Sequence, residues 1–145
     1  MARFSFVRGA SALLVLFSAA NVAASVDRSP QPGGVYRLKP GIFVKEGVPC
    51  SSAPNVAIRR YDGHGISTAH TRACRARVIS RRGDRLSVSQ SCISAGAGRA
   101  PRTTERQVVR VVDALTFIQA TGGPEATYRY CPASMLPSGI RATEW

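Results

Sequence analysis

The chain has 145 residues, with 20 lysines and arginines against 8 aspartates and glutamates, a formal net charge of +12. That length allows one domain with a modest core and excludes a second. The charge favours anionic partners such as lipid head groups, phosphorylated glycans or polyanions, and the bland alternative is a solvated surface that keeps the protein soluble. All but Lys39 and Lys45 of the basic residues are arginines.

Residues 1–24 read as a signal peptide. Arg3 and Arg8 supply the positive start, an apolar run extends from Ala10 to Ala20, and Val22-Ala23-Ala24 puts small residues at a cleavage site. The run is about half the ~20 residues needed to span a bilayer, so cleavage before Ser25 is expected rather than anchoring. Cleavage removes two arginines and no acid, and the +12 becomes +10. The expected location is the periplasm or the medium.

Residues 25–34 (SVDRSPQPGG) read as a flexible leader, and residues 35–132 as a single β domain followed by a tail, 133–145. Within the domain, short β-branched and aromatic runs recur between turn signals without a helical period. The predicted strands are Gly41 to Glu46, Val56 to Tyr61, Gly65 to Ala69, Cys74 to Arg81, Arg85 to Ile93, Thr103 to Val112, Leu115 to Thr121 and Ala126 to Cys131. Asp62-Gly63 and Arg82-Gly83-Asp84 supply hairpin turns, and Asp113-Ala114 and Gly122-Gly123-Pro124 mark later reversals. About eight short strands joined this closely make an antiparallel meander. The fold class is therefore all-β, a small barrel or else a two-layer sandwich; closure into a barrel removes exposed edges.

Four cysteines in an exported chain are expected to pair as structural staples. Their spacings of 24, 18 and 39 residues contain no C-x-x-C knuckle, so no metal site is predicted. Alternation puts Cys74, Ala76 and Val78 on one side of the central hairpin and Arg75, Arg77 and Arg81 on the other, with Leu86, Val88 and Cys92 opposite Arg85, Ser87 and Ser89. Counting back from Gly83 brings Cys74 within reach of Cys92, which leaves Cys50 for Cys131. The outward stripe of Arg75, Arg77, Arg81 and Arg85, extended by Arg106 and Arg110, is the candidate anion-binding face. On the last strand Tyr128 and Tyr130 oppose Arg129 and Cys131. With Cys131 inward and no bulge in the strand, the tyrosines face outward, either as a contact surface or, the preferred reading, at a seam covered by the tail's Met135, Leu136, Ile140 and Trp145.

No catalytic motif is found: G-x-S-x-G and H-E-x-x-H are absent, and no glycine-rich loop precedes a helix. His64 sits in a turn and His70 at a strand end, and neither is paired by sequence with a carboxylate or serine. No cofactor is expected.

Taken together, the Lys39 to Cys50 segment (K-P-G-I-F-V-K-E-G and a cysteine), the Tyr61-Asp62-Gly63 hairpin, the Cys74 to Cys92 hairpin and Tyr128-Arg129-Tyr130-Cys131-Pro132 resemble a group of small exported bacterial β-proteins with four cysteines. The resemblance covers nearly the whole mature chain and implies the fold, not an activity. More remotely, the chain is similar to the periplasmic barrel inhibitors of C-type lysozyme, which present a Ser-Gly-x-x-Tyr loop. Here Ser138-Gly139 is followed by Ile140, Arg141 and Ala142, so that motif is not carried over, and a basic chain is repelled by a basic lysozyme.

The functional expectation is a monomeric, non-enzymatic envelope protein that binds anionic lipid or glycan, with no specific nucleic-acid recognition. The alternatives are an inhibitor or partner-binding module, which would use a projecting loop such as Ser94–Arg102, and a small hydrolase-like enzyme built on His64 or His70.

Overall fold

A computed structural model describes residues 29, 34–96 and 100–142; the signal segment, most of the leader and the centre of the Ser94–Arg102 loop lie outside the described residues. Within them the chain forms eight strands: β1 Gly41–Lys45, β2 Ile58–Tyr61, β3 Ile66–Ser67, β4 Thr71–Arg82, β5 Arg85–Ser94, β6 Arg102–Asp113, β7 Thr116–Ala120 and β8 Ala126–Cys131. Their order in the single sheet is β3-β2-β1-β8-β7-β6-β5-β4, every pairing antiparallel. Each strand thus lies beside its sequence neighbours, and β1 pairs with β8 to bring the two ends of the domain together. The result is a nearly closed barrel.

The turns form where short-range chemistry predicts them. Gly63 and Gly83 adopt φ of +94° and +61°, conformations that cost a glycine little. The Asp62 carboxylate accepts from the backbone N–H of His64 and Gly65, and Asp113 accepts from Leu115 N–H in the same manner.

The remaining seam lies between β3 and β4, and it is closed by other means than a regular ladder. The amide of Gln90, on β5, takes the place of a backbone: its Oε1 accepts from Ile66 N–H at 2.8 Å and its Nε2 donates to Ile66 C=O at 2.9 Å. Ala76 N–H also donates to the His64 carbonyl at 2.8 Å. A Cβ at Gly65 would lie 2.8 Å from the carbonyl carbon and oxygen of Cys74, so only glycine permits this approach.

Inside the barrel Phe43, Phe117 and Tyr128 form an aromatic column, with Phe43 edge-on to Phe117 at 5.1 Å and Phe117 stacked on Tyr128 at 5.2 Å. Leu86, Val88, Val109, Ile66 and Tyr61 complete this core. One end is plugged by the segment before β1. Val35 N–H bonds to the Gly63 carbonyl and Lys39 N–H to the Ala114 carbonyl, so the segment crosses the barrel end as a strap and drops Tyr36 and Leu38 into the core. The Tyr61 hydroxyl clamps it, accepting from Tyr36 N–H at 3.0 Å and donating to Tyr36 C=O at 2.9 Å.

Burial holds the Tyr36 phenol well above the ordinary tyrosine value of 10.0, reinforced by the nearby Tyr61 and partly offset by the Gln107 amide. Tyr61 is raised as well, chiefly by burial, with its backbone hydrogen bond to Tyr36 opposing and Asp62 adding. Both rings keep their protons in the fold after an unfolded chain has lost them. Stability should therefore be unaffected below the unfolded value and fall above it, at no more than about 1.4 kcal/mol per pH unit for each ring. Urea titrations from about pH 9 to 12 would show the decline, and Tyr36→Phe should make it shallower; a flat profile would contradict the assignment.

A second cluster lies outside the barrel wall. Val44, Ile58 and Cys131 face away from the lumen and are covered by Ala53 and Leu136, with Ile42, Val48, Cys50 and Ile140 packed around them. The tail therefore covers the Cys131 face. This reverses the expectation for β8: Tyr130 lies opposite Phe43 and Tyr128 opposite Lys45, so the tyrosines point into the barrel and Cys131 points out. The inward assignment of Cys131 fails because the loop that carries Cys50 packs on the outer wall, where an outward cysteine can meet it.

Candidate functional site

The disulfides join Cys74 to Cys92 and Cys50 to Cys131, with Cα separations of 4.1 and 5.8 Å. Cys74 and Cys92 point inward together, both buried.

On the outer wall, register places the arginines in rows across β4, β5 and β6. Arg72 lies opposite Ile93 and Ile93 opposite Arg102; the next rows are Arg75, Ser91, Thr104 and then Arg77, Ser89, Arg106. The final row is Arg82, Arg85, Arg110. Serines thus floor a strip down β5, flanked by arginines on β4 and β6. Neighbouring strands are about 4.8 Å apart, so Arg77 and Arg106 rise about 10 Å apart across Ser89. Arg75, Arg77, Arg85 and Arg106 are exposed and Arg110 is half-buried.

Arg81 does not belong to this face. The ladder slips between Val78 and Ser80, the extra residue Ile79 being left exposed, and beyond this bulge Arg81 pairs with Leu86. It therefore turns to the strap end of the barrel, where it lines a hollow with Tyr36, Arg37 and Asp84. Arg82 takes the outward place that simple alternation gives to Arg81. A second slip, between Arg72 and Arg75, throws out Ala73 at φ +48° and lets Arg72 and Arg75 share the outer face.

Two of these arginines meet carboxylates: Arg85 donates to Glu125 at 2.6 Å, and Arg110 lies 3.7 Å from Asp84. Among the described residues no carboxylate lies within salt-bridge distance of Arg72, Arg75, Arg77 or Arg106. The upper part of the strip consequently carries a concentrated, uncompensated positive charge.

His64 and His70 are exposed and fall at opposite ends of the barrel, His64 in the strap-end turn and His70 in the turn between β3 and β4. The fold does not bring them together. Ser67, the serine nearest to both in the sequence, is buried on β3.

The end of the barrel away from the strap is open and polar. It holds a cavity of about 160 Å³ lined by Arg59, Gln90, Gln107 and Gln119, with Thr68, Thr71, Thr103, Thr121 and Glu105 around it. Arg59 Nε donates to Gln119 Oε1 at 3.0 Å, and Gln119 Nε2 donates to Gln107 Oε1 at 2.6 Å. The guanidinium sits 4.7 Å from the centroid of the Tyr128 ring, and burial lowers its pKa. None of this site was singled out from the sequence. Its trace there is phase: Gln90, Gln107 and Gln119 occupy inward positions of strands whose other inward residues include Leu86, Val88, Val109 and Phe117.

No protein-family model, curated protein or solved structure matches the chain. The functional reading accordingly rests on the geometry alone.

Proposed function

We propose that this is an exported, non-enzymatic envelope protein whose outer β4-β5-β6 face binds an anionic glycan or lipid surface. The observation that carries the reading is the serine-floored strip with Arg72, Arg75 and Arg77 on one side and Arg102 and Arg106 on the other. Like charges set this close repel, and an anion between them offsets the repulsion. Outward residues on one strand repeat about every 6.8 Å and the two flanks lie about 10 Å apart, a spacing suited to successive phosphates or carboxylates of a chain laid along the strip. The guanidinium forks offer paired donors to each such group. Two disulfides support a location in an oxidising compartment, and residues 1–24 supply the export signal in this reading.

Binding to a phosphorylated glycan or to vesicles containing anionic lipid should be strongest at low salt and fall steeply between about 50 and 200 mM, as the Debye length shortens to below ~10 Å. Replacing Arg75, Arg77 and Arg106 together by serine should weaken it at least about tenfold at the lower salt, each lost contact being worth about 0.5–1 kcal/mol, without shifting the unfolding midpoint. Equal binding by the triple variant, or no association of the wild type at low salt, would reduce the face to a solubility feature.

A further inference from the structure

β6 has 12 residues and β7 only 5, and the ladder between them begins at Val108, opposite Ala120. Past Ala120 the chain leaves the sheet. Gly122 takes φ +67°, Gly122 and Gly123 lie over the outer wall with Ile79, Ser80 and Ser87, and Arg85 holds Glu125 there at 2.6 Å. Among the described residues the stretch Arg102 to Arg106 is therefore paired with β5 on one side and with no strand on the other, and every residue in it is exposed. The phase of the ladders identifies the free backbone groups. Ala76 N–H points away from β5, to His64, so Arg75 and Arg77 take the backbone bonds to Ser91 and Ser89, and Gln90 and Cys92 take those to Glu105 and Thr103. Tyr130 N–H, donating to Leu115 C=O, sets the same phase from the opposite direction and turns Val108 toward β7. The N–H and C=O groups of Arg102, Thr104 and Arg106 consequently face the vacant side, while their side chains stand on the outer wall.

We propose that this edge of β6 receives an extended acidic segment of another protein as an added antiparallel strand. Charge selects that occupant over a second copy of the chain. Self-pairing about Thr104 sets Arg102 against Arg106 twice, like charges directly opposite, and brings together two strongly basic molecules. An acidic strand instead places carboxylates opposite Arg102 and Arg106, neither of which has a carboxylate within salt-bridge distance among the described residues. These two arginines are about 14 Å apart along the strand, enough for five residues of a guest. The guest's intervening side chains lie beside Thr103 and Glu105, over the open mouth lined by Thr68, Thr71 and Thr121. Glu105 repels an acid on that side, so the segment that fits alternates acidic residues with uncharged polar ones. Its main chain is held by backbone hydrogen bonds, which separates this site from the guanidinium strip assigned to a glycan or lipid surface.

The probe is the peptide Glu-Thr-Glu-Thr-Glu, blocked at both ends. Titrated into isotopically labelled protein, it should give saturable backbone shifts centred on Arg102 to Arg106 and slow amide hydrogen exchange at Arg102, Thr104 and Arg106. The same peptide methylated on its glutamate nitrogens keeps its charge but loses the strand's donors, and Lys-Thr-Lys-Thr-Lys keeps the donors but reverses the charge. Each should bind weaker by roughly tenfold or more. Thr104→Pro removes a free N–H without touching the β5 ladder, and should lose the peptide while keeping the wild-type response to anionic vesicles or glycan. Arg75→Ser/Arg77→Ser should do the reverse, so the two sites stand or fall separately. No saturable shift, equal binding of the methylated peptide, or unchanged binding in Thr104→Pro would overturn the proposal. Concentration-dependent protection of the same amides without peptide would also overturn it, in favour of a second copy at the edge. If Thr104→Pro disturbs the backbone spectrum, the methylated peptide and the exchange rates decide the matter on their own.

Discussion

Removing the Cys50–Cys131 cross-link should lower the stability of this domain by about 4 kcal/mol, a large share of the ~5–15 kcal/mol that holds a small domain folded. The bond spans 81 residues, so in the chain-entropy model it restricts the unfolded state more than the Cys74–Cys92 bond, which spans 18 and is worth about 3 kcal/mol. Its position adds to the effect. It ties the loop after β1 to the last residue of β8, the strand pair that closes the chain's two ends on each other. Cys131 also sits within the outer cluster with Val44, Ile58 and Leu136, so freeing it loosens the tail. Urea unfolding of Cys50→Ala/Cys131→Ala beside Cys74→Ala/Cys92→Ala measures both costs. The ranking is wrong if the second pair costs more than the first.

Replacing Gln90 by leucine should cost about 2–6 kcal/mol, although the two side chains are similar in volume and the site is buried. The reason is the β3–β4 seam. Ile66 N–H and C=O are both satisfied by the Gln90 amide, and an apolar side chain leaves both buried and unpaired at about 1–3 kcal/mol each. Loss of the seam should show locally before it shows globally, as faster amide hydrogen exchange at Ile66 and at Ala76, whose N–H reaches across to His64. A Gln90→Leu protein within about 0.5 kcal/mol of wild type, with unchanged protection at those amides, would mean that the ladders of the other strands hold the barrel closed unaided.

The strands were legible because their signals are local. Turn residues such as Asp62-Gly63 and Gly83, with period-two alternation between them, locate β4, β5, β6 and β8 to within a few residues, and the longest discrepancy is at β4, which begins at Thr71 rather than Cys74. The approach of Cys74 to Cys92 follows from the same counting. Arg81 and Cys131 were misplaced for different reasons. Alternation assigns a residue to one of two faces only relative to its neighbours, and a bulge at Ile79 inverts the phase beyond it with no mark in the sequence. For Cys131 the alternation is intact, yet a disulfide can lie on either wall, and only the path of the Cys50 loop selects the outer one.

The amino-acid sequence by itself determined the all-β class, the succession of eight strands, the meander order and the approach of Cys74 to Cys92, which left Cys50 for Cys131, since each of these depends on residues close in the chain or on the pairing of adjacent strands. Tertiary structure alone decided how the barrel closes, which end is plugged and what the open end contains. Gln90 closes a seam 24 residues away, Tyr61 clamps a strap 25 residues away, and Arg59 meets Gln119 from a distance of 60. Those contacts arise from the curvature of the whole sheet, which brings inward side chains of distant strands into one lumen, and no local pattern encodes that curvature.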